Sequence, residues 1–413
     1  MQSLNLALAI VAGAVLALTL LSGWVKQHLW ASEALACLLV GMAIGPYGLD
    51  VFALDVPGNE AHVAIVEQTA RLTLALSVMS AALSLPARFF PSHWRRMVAI
   101  LLAGTLIMWI TASAMVFTFL NVTLLVALLA GAIVTPTDPV LARSIVSGKL
   151  AEEKVPSTSR SLITAESGAN DGLALPVVML PLMLMDEAGG VAERSISYLL
   201  WEVGGALVLG LAMGYATGFI FRLGYERGFT ETSSLTATTL ALALASLGAV
   251  ALLGADGLLA VFVAGLMVNR AIREEHEEQH EHFQDAVDRS LTLPVFVLLG
   301  VVAPVDLWAA HGWPLILAAA SIVMFRRLPL WLALHAVTRA YHGHREALFA
   351  GWFGPVGVAA LFYATFAMKH DAAPIIWPLV TLAIAMSVLV HGVTATPLTR
   401  LYARALDDRR SVD

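Results

Sequence analysis

Apolar stretches of membrane length recur from one end of this chain to the other, separated by short polar turns. The hydrocarbon core of a bilayer is about 30 Å thick and takes about 20 helical residues to cross. Runs of that kind begin near residues 4, 30, 62, 96, 122, 159, 198, 233, 256, 290, 314, 347 and 374, those near 256 and 290 being short. The pattern predicts an all-α polytopic membrane protein with 13 transmembrane helices.

Two spans break their own pattern. The fifth carries Thr135-Pro-Thr-Asp-Pro139 where a continuous helix is expected, and the twelfth carries Gly351-Trp-Phe-Gly-Pro-Val-Gly357. Proline removes a backbone donor and pushes the residue before it away from helical geometry, so both helices should unwind near their middles. Freed backbone groups at membrane depth are tolerated inside protein or beside a wet cavity, which makes such breaks candidate sites. Spans five and twelve are seven apart, and strict alternation of direction then orients them oppositely. The expectation is a pair of inverted repeats, helices 1–6 and 8–13, with discontinuous helices 5 and 12 crossing. Asp138, beside the first break, is placed to neutralise the partial positive charge of half-helix N-termini.

Composition agrees with a membrane protein. Of 413 residues, 59% are hydrophobic and 13% charged, and the mean hydropathy is +0.80. Loop charge sets orientation. Arg194 and Lys369 fall in one set of alternate loops, Arg71, Arg326 and Arg327 lie inside spans, and the other 19 of the 24 Lys and Arg residues crowd the opposite set. Cytoplasmic loops are the basic ones, so the N-terminus is expected outside and the C-terminus in the cytoplasm. That opposition requires an odd number of spans. The first segment, Leu4 to Leu21, lacks a basic leader and reads as a retained span rather than a signal peptide. With basic loops inside and no targeting segment, the expected location is a bacterial inner membrane. The lone Cys37 excludes an intrachain disulfide framework, and the net charge of −6 comes without any basic cluster that would suggest nucleic acid.

Chemistry concentrates in the sixth span, where Glu166-Ser-Gly-Ala-Asn-Asp171 interrupts an apolar run. A carboxylate at the bilayer centre costs about 2.5 to 3.5 kcal/mol on insertion scales, so it should face a cavity, a counter-charge or a transported ion. Glu166 and Asn170 share one helical ridge, Ser167 and Asp171 the next, Gly168 and Gly172 a third. The small ridge lets a neighbour approach closely, and the break in span five is the expected neighbour. Asp171, Ser167 and oxygens of Thr135 or Thr137 would then offer the all-oxygen shell that hard cations prefer. Span eleven brings Arg326 and Arg327 to similar depth. Glu166 is their nearest expected partner, in a buried structural ion pair. Asp171 is left without a fixed cation, free to hold a proton or a metal cation near neutral pH, which is the chemistry of antiport.

Taken together, these motifs resemble the NhaP-like monovalent cation:proton antiporter-1 family. The likeness is carried by Thr137-Asp138-Pro139, Glu166-Ser-Gly-Ala-Asn-Asp171-Gly, Gly257-Leu-Leu-Ala-Val-Phe-Val-Ala-Gly265, the span-eleven arginines, Trp352-Phe-Gly-Pro-Val-Gly357 and His391-Gly-Val-Thr-Ala-Thr-Pro397. It covers nearly the whole membrane region. The resemblance implies a secondary transporter rather than an enzyme, with no cofactor, exchanging Na+ (or Li+) for H+, K+ being the alternative cation. It implies a homodimer in the lipid bilayer, residues 1–400 forming one membrane domain and 401–413 a short cytoplasmic tail. A core of about 96–185 and 314–400 would move against interface helices of about 1–85 and 198–303. It further implies that Asp171 is the transport carboxylate, with Ser167 and Thr137 as Na+ ligands, Asp138 balancing helix ends and Glu166 paired with Arg327 (or Arg326). Asn170 before the aspartate implies electroneutral exchange. One departure stands out: similar antiporters often have a glutamate late in span three, where this chain has Ser80.

Other features carry less. Glu67 and Arg71, four apart in span three, read as a pair easing its own insertion. Asp256 reads as a helix cap, and the loop Glu274 to His282, with three histidines among five glutamates, as a solvated acidic segment, a pH sensor or a metal-binding segment. A membrane aspartyl protease using Asp138 and Asp171 is the rival from another class. It lacks a Gly-x-Gly-Asp motif and leaves the paired breaks unexplained. A passive channel is a further alternative, and it suits a lone titratable carboxylate less well than alternating access does.

Overall fold

A computed structural model of the protein describes residues 9, 12–17, 20, 32–139, 141–142, 155–185, 191–229, 234–271, 288–332 and 344–410. The histidine-rich loop 274–282, much of the expected first span and all of the connection after it, residues 21–31, lie outside the described residues. All regular structure among the described residues is helical. Among the described residues, six helices are long and apolar enough to cross a membrane: Phe89–Phe119, Ser157–Met185, Ile196–Glu226, Ser234–Leu252, Val305–Leu332 and Ile376–Ala395. Shorter apolar helices are packed among them.

In chain order the helices are α1 (Glu33–Ile44), α2 (Glu60–Leu83), α3 (Phe89–Phe119), α4 (Leu124–Ile133), α5 (Ser157–Met185), α6 (Val191–Glu226), α7 (Ser234–Leu252), α8 (Gly257–Ala271), α9 (Leu293–Val301), α10 (Val305–Phe325), α11 (His344–Trp352), α12 (Val358–Met368) and α13 (Ile376–Arg410). Starts follow capping chemistry. Ser32, Asn59 and Thr123 each accept a backbone N–H of the first turn of α1, α2 and α4, satisfying donors that have no intrahelical partner. Asp256 does the same for α8, accepting from Leu258 N at 2.8 Å and Leu259 N at 3.1 Å.

Three starts fall seven or more residues before the sequence expectation, α6 beginning at Val191 rather than near 198, and two of them do so for a readable reason. α3 begins at Phe89 rather than near 96, because its first turns carry Arg95 and Arg96 and are helical without being apolar. The eleventh span was placed from about 314, whereas helical geometry starts at Val305 and is broken at Gly312, whose φ of +60° suits only a residue without Cβ, two residues before Pro314.

Small residues set the closest packing. A Cβ on Gly41 of α1 would overlap Val297 O of α9, and one on Gly300 would overlap Leu38 O, so these two short helices touch backbone to backbone. Gly210 and Gly214 of α6 lie in the same way on Ala260 and Ala264 of α8. The glycine ridge of α5 was expected against the break in span five. It lies instead on α8 and α2: Gly168 faces Phe262 and Ala81, and Gly172 faces Leu259. The ridge meets whichever neighbour offers flat apolar backbone, and α8 does. Glu67, expected with Arg71, pairs with Lys369 at the end of α12, while Arg71 reaches Gln68.

Candidate functional site at the meeting of two interrupted helices

The helix of span five stops at Ile133, and the helix of span twelve stops at Trp352 and resumes at Val358. The two interruptions touch. Asp138 N donates to Pro355 O at 2.9 Å. Asp138 Oδ2 accepts from Val358 N at 2.8 Å and Oδ1 from Leu141 N at 3.2 Å, so one carboxylate caps a half-helix of each interrupted span. Gly357 is needed beside it, since a Cβ there would sit on that carboxylate. Arg326 does the converse at the other polarity. Its guanidinium donates to Val134 O, at the end of α4, and to Gly354 O at 2.7 Å, just past α11. Negative charge thus meets helix N-termini and positive charge helix C-termini, as the helix dipole favours.

Around this junction, α5 presents its polar ridges. Glu166 Oε2 meets Arg327 Nη2 at 2.5 Å, with both side chains almost wholly buried. Arg327 Nη1 donates to Phe353 O at 2.8 Å and its guanidinium lies 5.1 Å from the centre of the Trp331 ring. Sequence left Arg326 and Arg327 open as the partner of Glu166; the geometry pairs Arg327, and Arg326 is taken up by carbonyls. Thr137 Oγ1 donates to Ser167 Oγ at 3.2 Å and lies 3.5 Å from Glu166 Oε2. Thr135 is turned away, its hydroxyl bonded to Gly131 O at 2.7 Å. Asn170 Oδ1 accepts from Thr105 Oγ1 at 3.2 Å.

Asp171 stands apart from all of these. It has no solvent exposure, and neither carboxylate oxygen has a hydrogen-bond partner. Its own backbone carbonyl accepts from the Tyr363 hydroxyl at 2.8 Å. Burial of an ionised carboxylate with no partner is costly enough that such a group is held neutral by a proton or compensated by a bound cation. The structure therefore brings Asp138, Thr137, Glu166, Ser167, Asn170, Asp171, Arg326 and Arg327 into one buried neighbourhood.

Several members were given no site role by the sequence reading, although His391 opens one of the motifs that carry the resemblance. Tyr363 and Thr105 sit in apolar runs where one hydroxyl is unremarkable. Ser387 accepts from Val356 N at 2.8 Å, and a ring nitrogen of His391 lies 3.0 Å from Trp352 O, so α13 also secures the second interruption. The four-residue spacing of Ser387 and His391 was the available signal, since it puts both on one helix face toward the neighbouring break.

An all-helical membrane fold with interrupted helices joined at a buried polar centre defines the class. Residues 12–401 match the family described as sodium/hydrogen exchanger, transmembrane, and the chain belongs to that family. It is 30% identical to a probable Na+/H+ antiporter of Schizosaccharomyces pombe over 94% of this chain and 55% of that protein. It is also 30% identical to Na+/H+ antiporter 2 of Zygosaccharomyces rouxii, over 91% of this chain and 50% of the relative. The chain thus spans about half the length of these curated relatives. In fold it is similar to the sodium proton antiporter MjNhaP1 of Methanocaldococcus jannaschii, with a TM-score of 0.76 at 19% identity, covering 97% of this chain and 98% of that one.

Proposed function

We propose that the protein is a secondary antiporter that exchanges Na+ or Li+ for H+, one for one, by competition of the two for Asp171. The observation that carries this reading is the bare, fully buried Asp171 carboxylate beside a junction in which the other charges have partners. Glu166 is answered by Arg327, and Asp138 and Arg326 by opposite helix ends, so none of these needs a mobile ion. Asp171 does. With a proton or a monovalent cation it is neutral, and the same site can then be presented to either side. Empty, it would leave an uncompensated charge in a dry interior, which opposes the uncoupled return that would dissipate the gradient. Ser167 Oγ and the oxygens around Thr137 are the proposed further ligands. Asn170 adds no second exchangeable charge, which supports electroneutral stoichiometry.

The finer architecture is part of this proposal: 13 spans, the shorter helices included, in two inverted repeats whose interrupted members cross. A core of about 96–185 and 314–400 would work against an interface of about 1–85 and 198–303, in a homodimer with a cytoplasmic C-terminus. The names of the relatives favour Na+ and support a transporter rather than an enzyme. The two-aspartate protease has little support, because both oxygens of Asp138 accept backbone amides. The location in a bacterial inner membrane rests on loop charge alone.

The test is reconstitution in liposomes carrying an internal pH dye, with Na+, Li+ or K+ added outside. Wild type is expected to move protons on addition of Na+ or Li+, and Asp171→Asn is expected to move none. Proton movement in response to K+ alone would change the cation, and undiminished movement in Asp171→Asn would end the proposal.

A further inference from the structure

A second pair of buried carboxylates lies away from the junction, at the end of the fold where α6 and α8 begin. Glu202 and Asp256 are 5% and 1% exposed, and the two residues are joined by Asp256 N donating to Glu202 O at 3.2 Å. Asp256 Oδ1 is occupied by the amides of Leu258 and Leu259, and Glu202 Oε1 accepts from the Tyr198 hydroxyl at 2.6 Å. The second oxygen of each, Asp256 Oδ2 and Glu202 Oε2, is buried with no hydrogen-bond partner. Capping explains half of Asp256 and nothing of Glu202. Among the described residues no basic side chain pairs with either, and α7, packed alongside, contributes no titratable group.

Two buried carboxylates on adjoining residues with no cation are held most cheaply with at least one of them protonated. Two free oxygens are too few for a hard cation, which takes about six or more, and no cluster of three acidic, histidine or cysteine ligands occurs among the described residues. The pair also reaches toward the transport carboxylate. Leu259, whose amide is bonded to Asp256, lies against Gly172, the residue after Asp171. Tyr363, bonded to the Asp171 carbonyl, is within electrostatic reach of both Asp256 and Glu202.

We infer that Glu202 and Asp256 form a proton-holding station that delivers protons to Asp171 and takes them from it along the contact of α5 with α8. This rests on the antiport reading above. The proton leaves a carboxyl oxygen of the pair and arrives on a carboxylate oxygen of Asp171, the pair being refilled from water at its own end, so charge balances at each transfer. The pair acts on the rate of proton delivery and does not bind the cation.

Asp256→Asn keeps an oxygen to cap Leu258 and Leu259, and Glu202→Gln keeps an acceptor for Tyr198, so each variant removes titration while retaining the structural bond. Both are reconstituted as the full chain, and Na+-driven proton movement is measured against Na+ concentration in H2O and D2O. The saturating rate is expected to fall about tenfold or more in each, as for loss of a positioned proton-transfer group, with the KM for Na+ unchanged and the solvent isotope effect enlarged. Wild-type rates in both variants would overturn the inference, as would a raised KM at unchanged rate, which would mark a cation site. A lowered amount of folded protein with an unchanged isotope effect would assign the pair to structure. No exchange by wild type would overturn the antiport reading itself, a separate result.

Discussion

Glu166 and Asp171 are little more than one turn apart on α5, equally buried, and opposite in circumstance. At the Glu166 end the carboxylate meets a guanidinium that is itself held by a carbonyl and an indole ring. At the Asp171 end the carboxylate meets nothing. The same helix thus shows a charge made permanent by its partner and a charge left conditional on what arrives. Depth in the membrane does not separate structural from exchangeable acids; a fixed cationic partner does, present for Glu166 and absent for Asp171.

The sharpest way to break this comparison is to neutralise both acids in turn. Asp171→Asn should abolish exchange yet leave the protein at least as stable to heat as wild type, because it removes a buried acid that has no partner; a large loss of melting temperature would mean Asp171 has a structural bond after all. Glu166→Gln should do the reverse, costing about 3 to 5 kcal/mol through the uncompensated Arg327. It would be seen as poor yield and early unfolding, with partial recovery in Glu166→Gln combined with Arg327→Met. A well-folded, inactive Glu166→Gln would move Glu166 into the ion path. Asn170→Asp sets a second acid beside the bare one and should make exchange sensitive to membrane potential, measured with valinomycin-clamped liposomes; insensitivity would remove Asn170 from the charge balance. The smallest effect is expected at Lys369→Met. Its pair with Glu67 is half exposed on the lysine side but buried on the glutamate side, so unfolding should shift by less than the roughly 3 to 5 kcal/mol of a fully buried pair.

How much of this was legible in the chain depended on the kind of signal. The interruptions could be read because proline denies a backbone donor wherever it sits, and Pro136, Pro139 and Pro355 all do so. The gathering of Glu166, Ser167, Asn170 and Asp171 on adjoining ridges followed from helical period alone. Which arginine faces Glu166 did not, because both lie at a bend just past the end of α10, and only the placement of that bend against α5 decides between them. The glycine ridge announced a close neighbour without naming it, and α8 rather than the broken helix took the place. Hydropathy windows also missed helix that is not apolar, as at the start of α3. Tyr363, Thr105 and the Glu202 partnership were hidden for another reason: a single polar group in an apolar run gains meaning only from a helix distant in sequence.

The lacing of the two interruptions has a consequence for how the chain is made. Asp138 and Val358, joined at the junction, are 220 residues apart. At roughly 5 to 20 residues per second, the ribosome takes on the order of ten to forty seconds to bridge that distance. Through that interval Asp138 must wait in the membrane with the Leu141 amide of its own half-helix as its local partner, while the carbonyl of Val134 waits for Arg326. Completion of the site is therefore a late event of biogenesis, and the first interrupted helix is held by local bonds until the second arrives.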